Sequence, residues 1–290
     1  MLVNQYTQTP SHIALAREML YFSRRSYLFV KNRLQHKTIL FYPHYPFRRA
    51  EIWKIIALTN YNITNNPNQH FDLVFHWQDT TLRSNDRFLS TLSSTYPVIN
   101  LRSVDIGKDK VEQVFSEVFG YSSLVDPLTY QGKCVKKTIL NGKHDGQIID
   151  CPIKERQEGY IYQRLIDNTA PDGQLIDYRV PVFKHTIPFM LIRYKHKEDR
   201  FDNTLSAKLA DPAKLFSIEE TKKIISFCEK MGLDYSELDI LRNRADGHIY
   251  IVDANNTPSS PPLSVPFDKT ERKIMLQKSV RAFEQNFLYQ

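Results

Sequence analysis

The sequence predicts an α/β protein in two parts: a small parallel α/β domain, then a larger α+β module of hairpin-linked strands. Three observations carry this reading. Short apolar runs alternate with helical stretches as far as residue 106, the pattern of strands joined by crossover helices. Beyond a helix ended by Gly120, strand-like runs follow one another with no long helix between them until residue 217. Asp246-Gly247 then separates two apolar strands, a strong hairpin signal.

The elements follow in order. Residues 10–35 read as a basic helix, with Ile13, Leu20, Leu28 and Leu34 on one side and Arg17, Arg24, Arg25, Lys31 and Arg33 supplying charge. Strands are expected at 38–42, 72–77 and 98–101, with a helix over 47–58 between the first two. A helix over 108–119 opens the second part. Strands follow at 133–138, 147–149, 160–166, 178–183 and 188–194. Ser217, with Glu220 three residues on and Gly232 after the end, frames an amphipathic helix over 217–231. Two strands, 237–241 and 248–253, close the module. The proline-rich stretch 258–266 leads to a last helix over 268–288. The expected divisions are 1–36, 37–106, 107–262 and 263–290.

The 290 residues are 41% hydrophobic and 12% aromatic, enough to build a core. The net charge of +7 favours an anionic partner. Cys134, Cys151 and Cys228 are too few and too scattered for a disulfide framework or a zinc site. The sequence holds no run of about 18 apolar residues, and its N-terminus lacks the pattern of a secretory signal. A cytoplasmic location is the expectation.

The hairpin around Asp246-Gly247 carries the chemistry. With Ala245-Asp246-Gly247 as a three-residue loop, Asp239 sits opposite Asp253. Strand periodicity puts Asn255 on the same face. Like charges facing one another destabilise a sheet. A divalent cation removes that penalty, and hard oxygen donors without histidine or thiolate suit magnesium. Taken singly, Asp253 or Asn255 reads as a strand end and turn cap. The three together read as metal ligands.

This hairpin resembles the metal-binding end of ATP-grasp enzymes: Asp239 on one strand, then Asp253-Ala254-Asn255 and Thr257-Pro258. The family more often has Glu where Asp253 stands. What the resemblance implies upstream fits in order. Lys110 is similar to the first phosphate-contacting lysine, and Lys136 or Lys137 to the second. Neighbours on a strand point to opposite faces, so one of the pair serves, and Lys137 is preferred. The loop from Asn141 to Gly146, with Gly142, His144 and Gly146, would cover the phosphates. His144 reads equally as a solvated loop residue. Tyr160 to Asp167 resembles the hinge strand that pairs with adenine: Gln163 stands where Glu is frequent, Leu165 and Ile166 follow, and Asp167 or Asn168 would reach the ribose. Asp177-Tyr178-Arg179 and Arg193 are similar to the Asp-x-Arg strand of the glutathione-synthetase-like branch, whose arginines contact phosphate and the acceptor carboxylate.

The implied fold is a two-lobed ATP-grasp module behind a small N-terminal α/β domain, with ATP and Mg2+ as cofactors. The implied activity is a ligase: ATP phosphorylates a carboxylate of a small-molecule or peptide acceptor, and an amine or other nucleophile attacks the acyl phosphate. A kinase of the same fold is the alternative. A basic module binding nucleic acid or a membrane surface is a third reading, and it gives Asp239, Asp253 and Asn255 no role. No nucleic-acid partner is expected, and any peripheral membrane contact would run through the N-terminal helix.

Overall fold

A computed structural model describes residue 23 and residues 37–59, 61–143, 145–197, 200–201, 204–259 and 267–288. Ser23 apart, the basic helix expected over 10–35 lies outside the described residues, as does the proline-rich stretch beyond residue 259. No helix among the described residues is long and apolar enough to cross a membrane.

The first part is a four-stranded parallel sheet of order β2-β1-β3-β4. Its strands are β1 (Thr38–Pro43), β2 (Asn62–Thr64), β3 (Leu73–Trp77) and β4 (Val98–Ile99). Helix α1 (Glu51–Leu58) links β1 to β2, and α2 (Arg87–Leu92) precedes β4. The parallel sheet agrees with the sequence reading. The short β2 and α2 were not expected, because neither has a long enough apolar run to show a period.

Helix α3 (Lys108–Phe119) ends at Gly120, whose φ of 81° is the left-handed cap position. Two antiparallel sheets follow. The smaller has order β6-β5-β7, from β5 (Gly132–Thr138), β6 (Gln147–Cys151) and β7 (Tyr160–Arg164). The larger has order β10-β9-β8-β11-β12. It contains β8 (Leu175–Phe183), β9 (Met190–Lys195), β10 (Ser206–Ala210), β11 (Tyr235–Arg242) and β12 (Ile249–Asn255). Between β10 and β11 lie α4 (Pro212–Leu215) and α5 (Ile218–Met231), the latter opened by the expected Ser217–Glu220 capping box. Helix α6 (Lys269–Phe287) ends the described chain.

Strand periodicity sorts the large sheet into two faces. Tyr178, Val180, Val182, Leu238 and Ile240 point to one side and pack with Val111, Phe115, Ile224 and Phe227 of α3 and α5. Asp177, Arg179, Glu237 and Asp239 therefore point to the other. At the far end of that second face Phe183 and Tyr235 pack against Ala282 and Phe283 of α6.

Asn100 fastens the parallel domain to this sheet. Its φ is 59°, a left-handed conformation that Asn tolerates better than most residues. Its Nδ2 donates to Tyr235 O at 2.7 Å and Asn256 O at 3.2 Å. Its Oδ1 accepts from the N–H groups of Asp234 and Tyr235 at 2.8 and 2.9 Å.

Candidate functional site

The polar face of the large sheet meets β5 of the small sheet across a cleft. Alternation along β5 sends Lys136 and Lys137 opposite ways. Lys136 turns outward, to Gln157 Oε1 and over the ring of Tyr160. Lys137 turns into the cleft and donates from Nζ to Val252 O at 3.0 Å. Burial pushes the Lys137 ammonium down to about 8, against the pull of Asp253.

A second lysine comes from α3, and it is Lys108 rather than Lys110. Lys108 is buried and donates to Leu140 O, and its charge acts on Asp253. Lys110 is half-buried, and its Nζ donates to Gln113 Oε1 at 3.2 Å on the outer side of the helix, away from the cluster. The helix period held the signal. Lys108 lies three and seven residues before buried Val111 and Phe115, whereas Lys110 shares a stripe with Gln113 and Glu117.

The carboxylates face each other as expected, Asp239 opposite Asp253 and Glu237 opposite Asn255. The route differs from the three-residue loop. Arg242 pairs with Ile249, and Asn243 N donates to His248 O, so the turn spans four residues, 244–247. A bulge opposite Asp239 and Ile240 then absorbs Val252 and restores the pairing.

Two arginines sit on these acids. Arg179 Nε lies 3.2 Å from Asp239 Oδ1 and 3.1 Å from Glu237 Oε1. Its two Nη groups have no hydrogen-bond partner among the described residues, and the side chain keeps 22% of its surface. Arg193 differs. It is buried, and its Nη2 lies 2.9 Å from Asp239 and 3.4 Å from Asp177. Its Nε is sealed without a partner. Arg193 thus holds Asp239 in place through Nη2. Lys195 completes this end, 2.9 Å from Asp177. Burial alone would raise the Asp239 carboxyl, but the two arginines outweigh it and hold it well below the usual range. Burial and the neighbouring Asp239 raise Asp253. Burial likewise raises Glu237.

The expected metal ligands share one face without forming a closed nest. No group of three or more His, Cys, Asp or Glu among the described residues is drawn together closely enough to hold an ion. Asn255 Oδ1 accepts from Thr257 N and Oγ1. Asp253 Oδ1, however, is buried with no hydrogen-bond partner, a costly state for an acceptor. That orphan oxygen and an all-oxygen donor set fit magnesium, which takes one or two carboxylates and shares the remainder with phosphates and water.

Residues 139–146 join β5 to β6. Asn141 ties this loop to Thr81 of the parallel domain and to Ala254 O of β12. Gly142 takes a φ of 71°. A Cβ at Gly146 would lie 2.5 Å from the ring of Phe201. His144 lies outside the described residues.

Strand β7 leads to Leu165, whose N–H and C=O enter no backbone hydrogen bond among the described residues. Ile166 is buried, and its carbonyl accepts from Arg200 at 3.2 Å. Asp167 is exposed, with Oδ1 accepting from Thr169 N. Asn168 is buried and bonded to Ile176 O and Asp177. Gln163 is buried and donates to Glu112 and Ser123.

No protein-family model matches the sequence, and no curated protein matches it. Solved structures do. D-alanine–D-alanine ligase from Bacillus anthracis complexed with ATP superposes with a TM-score of 0.51 at 14% identity, covering 87% of this chain and 96% of that one. The ATP-grasp ligase PsnB complexed with minimal precursor, Mg and ADP gives 0.52 at 12% identity, covering 84% and 98%. The chain has the ATP-grasp fold. In this ATP-grasp chain the cleft between the two antiparallel sheets holds Lys108, Lys137, Arg179, Asp239 and Asp253. Of these, Lys108 was missed in the sequence, as was the buried Glu237.

Proposed function

We propose that this protein is a Mg-ATP-dependent ligase that activates a substrate carboxylate as an acyl phosphate for attack by an amine or another nucleophile. The observation that carries the reading is the fork of Arg179. It is anchored through Nε to Asp239 and Glu237, its two Nη groups have no hydrogen-bond partner among the described residues, and its charge acts on Asp253. Phosphoryl transfer to a carboxylate brings two anions together, and the Coulomb cost in a partly dry cleft is large unless cations lie between them. A planar fork suits that task because it can grip two oxygens at once.

The two solved structures are of ligases, one with ATP and one with Mg and ADP, which supports nucleotide and metal here. Asp253, with Asn255 and Asp239 beside it, would hold magnesium, and the bound ion would neutralise charge on the transferred phosphoryl group. Lys108 and Lys137 would hold the phosphates, and the loop from Ile139 to Gly146 would exclude water. Leu165 and Ile166 would offer backbone groups to the adenine edge, with Asp167 at the ribose. Arg193 and Lys195 orient Asp177, and Arg193 with Arg179 keeps Asp239 ionised.

The test is an assay with Mg-ATP and a panel of carboxylate acceptors and amines, following free phosphate and coupled product. Arg179→Lys should cut turnover by at least 10-fold while ADP still binds. Label from γ-labelled ATP accumulating on a stable hydroxyl ester would instead establish a kinase. No nucleotide binding at millimolar Mg-ATP would sink both.

A further inference from the structure

We propose that Glu112 is a positioning residue for base recognition: it fixes the side-chain amide of Gln163 so that Oε1 faces the purine and selects a 6-amino over a 6-oxo base. This rests on the ATP reading above and deepens it.

Glu112 lies on α3 and is 1% exposed. Its Oε1 accepts from Ser122 Oγ at 2.9 Å and Ser123 N at 2.7 Å. Its Oε2 accepts from Ser123 Oγ at 2.5 Å and Gln163 Nε2 at 2.7 Å. The hydroxyl of Ser123 has one hydrogen, and Glu112 takes it. The hydroxyl oxygen can then only accept, and it does so from Gln163 Nε2 at 2.7 Å. Both N–H groups of the Gln163 amide are thereby engaged. Turning the amide over would set Oε1 against a carboxylate oxygen, acceptor against acceptor, so the network dictates the orientation.

Oε1 is left as the uncommitted edge. No described donor reaches it, and it is not among the buried side-chain oxygens that lack a partner, so it keeps contact with solvent. The register shows what it borders. Val135 pairs with Gln163 and Lys137 with Ile161, which puts Gln163 and Lys137 on the same cleft face of the small sheet. Lys137 marks the phosphate end. Gln163 lies toward the end of β7, where Leu165 leaves its N–H and C=O outside the backbone ladder. A 6-amino group donates to Oε1. The O6 of a 6-oxopurine would confront it lone pair to lone pair.

The experiment measures dissociation constants of ATP and inosine triphosphate with magnesium for the full chain, by calorimetry. These nucleotides differ at the purine 6-position and in the N1 proton that goes with it. ATP should bind tighter by on the order of 10- to 100-fold. Equal affinities would overturn this inference and leave the ATP reading standing. Binding of neither would overturn both. Glu112→Gln lets the Gln163 amide turn, so the ratio should fall several-fold, leaving only the discrimination that the backbone at Leu165 makes. Equal weakening of the two nucleotides with the ratio intact would make Glu112 a structural clamp only and defeat the proposal. If Glu112→Gln fails to fold, Gln163→Met keeps the volume and removes the acceptor. It must lower the ratio too, and an undiminished preference for ATP would be fatal.

Discussion

Glu51→Gln should stabilise the protein at pH 8 and flatten its stability between pH 5 and 7. Glu51 begins α1 with no exposed surface. It accepts from Ser279 Oγ of α6 at 2.7 Å and from Tyr235 OH of β11 at 2.9 Å, so it joins three elements of the core. Burial outweighs these hydrogen bonds and lifts its carboxyl from 4.5 to about 7. The difference of about 2.5 units corresponds to roughly 3 kcal/mol. Below about pH 4.5 folded and unfolded chains both hold the proton. From there to about pH 7 only the folded chain holds it, so stability falls as pH rises and the loss is complete above 7. A glutamine carries no charge at either end of that window. It does replace one acceptor oxygen by a donor, so Ser279 or Tyr235 must turn its hydroxyl, at a cost of about 1 kcal/mol. The net expectation is a gain of about 2 kcal/mol at pH 8 and a small loss at pH 5. Urea unfolding of both proteins at half-unit pH steps reads this directly. A variant no more stable than the parent at pH 8 would show that the carboxylate form is well solvated, and the burial argument would fail.

Three further perturbations separate the roles assigned above. Asn100→Ala removes four side-chain hydrogen bonds between the parallel domain and the start of β11 and end of β12, and urea melts should show a loss of about 3–5 kcal/mol. A loss under 1 kcal/mol would mean the domains do not depend on it. Lys137→Met deletes an ammonium that burial depresses to about 8. Below that pH the variant should be more stable than the parent by about 1 kcal/mol, discounted for partial exposure, with the gain fading as pH rises toward 10.5. ADP affinity should fall in the same variant, and unchanged affinity would remove Lys137 from the site. Lys108→Ala should weaken ADP binding at least 10-fold and Lys110→Ala less than 2-fold, by calorimetry; the reverse order would restore the assignment made from sequence.

What could be read from the sequence depended on how each signal is encoded. The capping box at Ser217, the cap at Gly120 and the apolar strands are local patterns, and they fall where expected. The facing of Asp239 and Asp253 was also legible, because turn chemistry and strand period both act over a few residues. The acidic partners of Arg193 were not legible, for a different reason. Its type announces anion binding, but the register Asp177↔Arg193 and the approach of Asp239 from β11 decide which anion it meets. Glu237 and Glu112 gave no sign, since each matters only through partners far away in the chain: Arg179, 58 residues before Glu237, and Gln163, 51 residues after Glu112.

The bulge at Val252 ties the two sheets together, and its removal gives a last expectation. The four-residue turn alone, carried straight along the ladder, would set Asp239 opposite Val252 and send Asp253 to the other face. The extra residue corrects the register, so Asp239 pairs with Asp253. It also leaves the Val252 carbonyl outside the regular ladder, where Lys137 from the small sheet takes it at 3.0 Å. Deleting Val252 would let the ladder run straight with Ile251 still opposite Ile240, and the next residue, Asp253, would again face Asp239. The carboxylate pair would survive while the seat of Lys137 would be lost. The deletion variant should therefore keep its far-UV circular dichroism and lose on the order of 10-fold in ADP affinity, the value of a charge-assisted hydrogen bond. Full affinity in a well-folded variant would show that the lysine finds the phosphates without the bulge, and that the irregular strand serves the hairpin alone.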